Sequence, residues 1–246
     1  MVRGLGVPMA VHCPSSSDVI VDAFPSSPPV FERFHSNHRE SSERMQESGS
    51  GAAVGIVDEV DLARAQEYSL LSALLARSPD AQMLGRLAGL RGDASRLGLA
   101  HTALGEAAAR TDAESAAREH FALFVGLGRG ELLPYASFYL TGFLHGLPLA
   151  SLRQTLQRIG VERLDAQAEP EDHAAILLEI MAGLAGGAIP APAGTDREIF
   201  DDHLAPWIAR FFSDLEQAPS AGFYASVGAL GRTFMEIETQ SFLLPQ

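Results

Sequence analysis

From Val57 to the end of the chain, apolar residues recur at intervals of three and four, and no stretch alternates convincingly between apolar and polar. A period near 3.6 marks helices that bury one face, whereas half-buried strands repeat every two residues. The chain therefore reads as all-α, a single globular domain of roughly eight to ten helices. Tyr68, Leu71 and Leu75 mark a first helix that Pro79 closes, and residues 81–110 give shorter alanine- and leucine-rich helices with glycine breaks. Ala113, Ala116, Ala117, His120, Phe121 and Phe124 form a stripe that stops at the Gly126–Gly130 loop. Leu149, Leu152, Leu156 and Ile159 form another, ending at Gly160. Two further helices carry Leu204, Trp207, Ile208, Phe211, Phe212 and Leu215, then Phe223, Val227, Leu230, Phe234 and Ile237.

Between these lies AEPEDHAAILLEIMAGL, residues 168–184. Proline suits the first helical position, where its missing N–H has no partner to lose. Acids in a first turn meet the positive end of the helix dipole. The spacing therefore predicts a helix opening at Glu169 and Pro170, with Glu171, Asp172 and His173 in its first turn. Leu177, Ile180, Met181 and Leu184 would form its single buried face. Such a start can hold a partner, and it can equally do no more than cap a helix.

Residues 56–246 make up the helical domain. Residues 1–55 are dominated by serine, proline and glycine without periodicity, as expected of a disordered tail. An alternative is a true start at Met45. AGGAIPAPAGTD, 185–196, reads as a flexible connector.

Charge narrows the partners. Lys+Arg is 18 against 31 Asp+Glu, a net charge of −13, and every fixed positive charge is an arginine. Such a chain repels nucleic acid and attracts basic partners, so no nucleic-acid partner is expected. The single cysteine, Cys13, excludes an internal disulfide framework or a multi-cysteine metal site and fits a reducing cytoplasm. No apolar run approaches the roughly 20 residues of a membrane span. The N-terminus, broken by Pro8 and His12, does not read as an export signal.

GLGRGELLP, 126–134, is glycine-rich, but no strand precedes it and no Gly-Lys-Ser/Thr follows, so it reads as a helix terminator and turn. Three acid–histidine pairs, Glu119-His120, Asp172-His173 and Asp202-His203, would bind a divalent metal if the fold gathered them. None has the i, i+4 histidine spacing of the helical zinc motif. The plainer reading gives each pair its own local task, with His120 a core histidine. No G-x-S-x-G elbow supports a serine nucleophile. In PYASFYLTGF, 134–143, the aromatic residues and hydroxyls read as one wall of a groove, with Phe138 and Phe143 in the core.

Taken in order, FALFVG (121–126), PYASFYLTG (134–142), EPEDH (169–173) and HLAPW (203–207) resemble the TorD/DmsD/NarJ-type redox-enzyme maturation chaperones. The resemblance covers roughly 57–240. It implies an all-helical TorD-like fold and a cytoplasmic, non-enzymatic chaperone without a cofactor. The implied partner is a molybdenum-cofactor enzyme's catalytic-subunit precursor, bound by its twin-arginine signal peptide or another segment until cofactor insertion is complete. Residues 126–149 are most similar to members associated with formate dehydrogenase.

Carried over by position, Asp172 and His173 match the pair implicated in peptide binding, framed by Glu169 and Pro170. Leu123 and Phe124 match the first motif, and Tyr135, Ser137 and Tyr139 the second. His120 stands where an aromatic often precedes that leucine, and Ala136 where an acid often follows the tyrosine, so one groove wall is altered. Relatives that exchange lobes make a swapped homodimer conceivable across the connector.

The residues themselves suit this role. Acids can receive arginines, Phe124, Tyr135 and Tyr139 can line an apolar groove, and His173 can respond to cellular pH. The rival readings are a metal-dependent helical enzyme built on the acid–histidine pairs and a helical scaffold protein for which EPEDH is only a cap.

Overall fold

The computed structural model describes residues 57–161 and 169–244. The proposed tail at 1–55 lies outside the described residues. Among the described residues there are ten α-helices and no β-strand. They are α1 (Glu59–Ala76), α2 (Ala81–Leu87), α3 (Arg96–Ala109), α4 (Ala113–His120), α5 (Ala136–Thr141), α6 (Leu147–Arg158), α7 (Ala174–Ala185), α8 (Thr195–Ile199), α9 (Ile208–Gln217) and α10 (Phe223–Leu243). Two of them run on into five-residue π turns, α4 through Phe121–Val125 and α8 through Phe200–Leu204.

The starts of α1 to α4 follow one rule. Asp58, Asp80, Ser95 and Asp112 each accept a hydrogen bond from the backbone N–H three residues on. Such caps satisfy a helix donor that has no partner within the helix.

The centre of the fold is α7, which packs along α1. The sequence AAILLEIMAGLA is buried on nearly every side, with Ile176 and Leu178 as enclosed as Leu177, Ile180 and Met181. This corrects the expectation of one apolar stripe. A helix that is hydrophobic all round belongs inside the protein. Leu184, by contrast, is only half-buried.

The last helix, α10, is roughly 30 Å long at 1.5 Å per residue and packs on α9, α3, α1 and α4. Its approach to α9 depends on Gly231, where a Cβ would stand 2.3 Å from the Phe212 ring. Polar groups tie the outer helices to this core. Arg64 of α1 bridges Glu238 of α10 (2.9 Å) and Asp196 of α8 (3.1 Å), and the Tyr68 hydroxyl donates to Glu238 at 2.7 Å. His101 of α3 meets the buried Glu67 of α1 at 2.9 Å.

The stretch 185–196 is anchored in its middle, where Ile189 is buried and its N–H donates to the Gly183 carbonyl at 2.9 Å, and at its end, where Thr195 is buried and Asp196 meets Arg64 at 3.1 Å. No helix among the described residues is long and apolar enough to cross a membrane.

Candidate functional site

The EPEDH run does not form the first turn of α7. Its residues lie ahead of the helix, and His173 is the N-cap, with Nδ1 accepting from the Ala175 N–H at 3.1 Å. Pro170 closes a turn instead, its carbonyl accepting from the His173 N–H at 3.1 Å. The turn docks on the segment before α5. The Ala136 N–H donates to the Asp172 carbonyl (2.9 Å), and the Ala174 N–H to the Pro134 carbonyl (2.7 Å). Tyr135 and His173 form an isolated antiparallel bridge. Two motifs 35 residues apart in sequence are thus joined through the backbone.

Asp172 sits in this joint, 1 % exposed. Its Oδ2 accepts from the Ser137 N–H at 2.9 Å, while its Oδ1 is buried with no hydrogen-bond partner. A buried carboxylate oxygen without a donor is costly, so the site holds unspent capacity for a cationic or N–H-bearing group. Glu171 is already engaged, ion-paired with Arg153 at 2.8 Å. Asp172 is therefore the acid of this turn with an unpartnered oxygen. Glu169 is exposed and accepts the Tyr135 hydroxyl.

His173 stacks edge-on against Tyr135, with ring centroids 5.1 Å apart. Burial pushes its pKa down to about 4, against the opposing charges of Glu169 and Asp172 and with a small push in the same direction from His120. This corrects the expectation of a switch near cellular pH. The accepting Nδ1 places the single proton on Nε2, and the ring stays neutral.

The other motif residues occupy distinct places. Leu123 is fully buried in the core. Phe124 is half-buried against His120 and Tyr224, with centroids at 5.0 and 5.5 Å. Ser137 is buried, and its Oγ accepts from the His145 N–H at 3.0 Å. Tyr139 packs on Trp207 and Phe211 and donates its hydroxyl to Asp214 at 3.0 Å.

Phe143 contradicts its expected place in the core: it is 77 % exposed, in the loop between α5 and α6. Leu147, at 85 %, and the partly exposed Leu140 and Leu144 accompany it. The loop curls through Gly142, His145 and Gly146, all at positive φ, and this turns its apolar side chains outward. Helical spacing had no means of showing this, because the stretch leaves the helix at Gly142. The apolar stripe of α4 also breaks, because the π turn changes the phase and buries Leu123 while Phe121 faces out.

The three acid–histidine pairs are not gathered into one cluster, although members of two of them line a common cavity. Glu119 caps α10, accepting from the N–H groups of Gly222, Phe223 and Tyr224 at 2.7, 3.1 and 2.6 Å. His120 packs among aromatics with a buried, unpartnered Nε2. His203 meets the Thr155 hydroxyl at 2.9 Å. Among the described residues no group of three or more His, Cys, Asp and Glu is placed to hold a metal ion. Gly126 ends the π turn at φ 61°, where a Cβ would lie 2.0 Å from the Arg129 carbonyl oxygen, so the glycine loop is a terminator.

Sequence reasoning missed a cavity of about 250 Å³ beside the joint. Its apolar wall is Ala136, Leu140, Leu147, Pro148 and Leu152, and its polar lining is Ser151, Asp172, Asp202 and His203. Nothing in the spacing of the HLAPW run connects it to EPEDH.

Comparison with known proteins identifies the family and the fold. Residues 91–213 match the family model described as nitrate reductase delta subunit. Over 123 residues the chain is 31 % identical to the chaperone protein TorD of Vibrio cholerae serotype O1, covering 46 % of this chain and 56 % of that protein. A TorD chaperone of Aliivibrio salmonicida is 28 % identical over 150 residues, covering 56 % of this chain and 70 % of that one. The chain thus spans little more than half the length of the Vibrio cholerae relative. A solved structure from Archaeoglobus fulgidus, described as a redox enzyme maturation protein, shares the fold with a TM-score of 0.51. It is 20 % identical and covers 79 % of this chain and 99 % of its own.

Proposed function

The chain belongs to the nitrate reductase delta subunit family, and from that premise we propose that it is a maturation chaperone for a molybdenum-cofactor oxidoreductase. It works in the cytoplasm and binds the catalytic-subunit precursor through its twin-arginine signal peptide or another segment of the apo form. It releases the client for export once cofactor insertion and folding are complete. The resemblance of residues 126–149 favours a formate dehydrogenase as that client.

One observation carries this reading. Asp172 holds a buried, unpartnered carboxylate oxygen beside a loop that exposes Phe143 and Leu147. A peptide that is cationic and then apolar supplies what both features lack. Tyr135, Tyr139 and Phe124 provide half-buried aromatic surface, and Glu169 a second, exposed anion. Leu123, Ser137, Pro170 and His173 hold these groups in position.

The test is co-purification of the tagged protein from its native cells, with mass spectrometry of what it retains. A molybdoenzyme catalytic subunit retained by wild type and lost from Asp172→Asn supports the reading. Its absence when the enzyme is expressed removes the chaperone assignment.

A further inference from the structure

The cavity beside the joint has a chemistry of its own. Most of its wall is aliphatic, and it carries two carboxylates on two different elements. Asp172 belongs to the turn before α7, and Asp202 to the π turn after α8. Asp202 is exposed, and among the described residues its side chain has no hydrogen bond or ion pair. Asp172 lines the same space with an oxygen that lacks a donor.

Among the described residues no positive side chain contributes to this lining. His203, the remaining titratable wall residue, is held towards its neutral form by burial, against the charges of Asp202 and Glu198. Its Nε2 is occupied by Thr155. The neighbouring arginines Arg153 and Arg158 are paired with Glu171 and Glu198, so the two acids share an apolar slot whose lining holds no counter-charge among the described residues.

Resting on the proposed function, we infer that this cavity receives the guanidinium of a client arginine between Asp172 and Asp202, making Asp202 the residue that distinguishes arginine from lysine. A guanidinium is flat, presents donors in a fork, and is weakly hydrated enough to lie between aliphatic walls. Its fork can reach two separate carboxylates at once. An ammonium is a compact, strongly hydrated point charge that satisfies one acid and leaves the other unanswered. The slot opens beside Leu140 and Leu147, so an apolar residue next to the arginine meets the exposed loop.

The test uses the full chain and synthetic peptides with one arginine, lysine or citrulline ahead of a leucine–alanine stretch. Affinity is measured by titration calorimetry. Wild type is expected to prefer arginine to lysine by roughly tenfold and to lose the neutral citrulline peptide altogether. Asp202→Asn, at an exposed position, should leave melting unchanged and bring the arginine and lysine peptides to within about twofold of each other. Retention of the full arginine preference by Asp202→Asn would overturn the inference while leaving the proposed function standing, provided Asp172→Asn still loses binding. Equal binding of arginine and citrulline peptides by wild type, with no effect of Asp172→Asn, would remove both.

Discussion

Asp172 is at once part of the architecture and the strongest candidate for recognition, and substitutions can separate the two. One oxygen accepts from the Ser137 N–H and the other has no partner. Asp172→Asn keeps an acceptor for Ser137 and removes the buried charge. It should melt at or above the wild-type temperature while losing client binding. Asp172→Ala leaves the Ser137 N–H buried without an acceptor and should cost about 1–3 kcal/mol. Thermal denaturation of the pair checks this, and equal destabilisation by both would mean that the charge itself holds the joint. Phe143→Ser tests the opposite kind of residue. Its side chain is largely in water, so stability should change by less than about 0.5 kcal/mol, while affinity for an apolar peptide falls. Sequence alone pointed to Asp172 and Tyr135 but not to their union, because the backbone bonds between Asp172 and Ala136 span motifs that share no local pattern.

Elements were more legible than their junctions. The caps Asp58, Asp80, Ser95 and Asp112 and the breaks at Pro79 and Gly160 stand in the sequence as plain helix signals, and the helices follow them. Before α7, Pro170 and its acids imitate a first turn. The chain spends them on a docking turn and starts the helix at Ala174. The two π turns were invisible for a related reason: one extra residue in a turn leaves composition unchanged and shifts only the phase. Glu119 has the separate local task that the plainer reading of the acid–histidine pairs expects: it accepts three N–H groups at the start of α10. Glu119→Ala should therefore cost about 1–3 kcal/mol, visible as a lower melting temperature with no change in metal content. Gly231→Ala, which would drive a Cβ into Phe212, should cost a similar amount, about 1–3 kcal/mol, through overpacking of the α9–α10 contact.

At the scale of the whole molecule, histidine burial sets how the fold answers acid. His173, His120 and His203 are all shifted down, in each case first by burial. His101 is shifted up, because Glu67 outweighs its burial. A histidine with a lowered folded pKa leaves the unfolded chain binding more protons between its two values, so stability falls as pH falls through that window. For His173 the window runs from 6.5 down to about 4. His101 works the other way, adding stability below 6.5 that is lost as pH rises through its raised pKa. With three histidines against one, the melting temperature should drop between pH 6.5 and 4, and His173→Asn, which keeps an N-cap acceptor, should flatten that drop. An unchanged slope in the variant would show that His173 is not held neutral by the fold.

The central claim is that Asp172 binds the cationic segment of a molybdoenzyme precursor. The most direct measurement is titration of the precursor's N-terminal peptide into wild type and into Asp172→Asn, both first shown to melt alike. The account predicts saturable binding by wild type that weakens with salt and is at least about tenfold poorer in the variant. Equal affinity for the two proteins would contradict it and leave the EPEDH turn as a structural joint between α5 and α7.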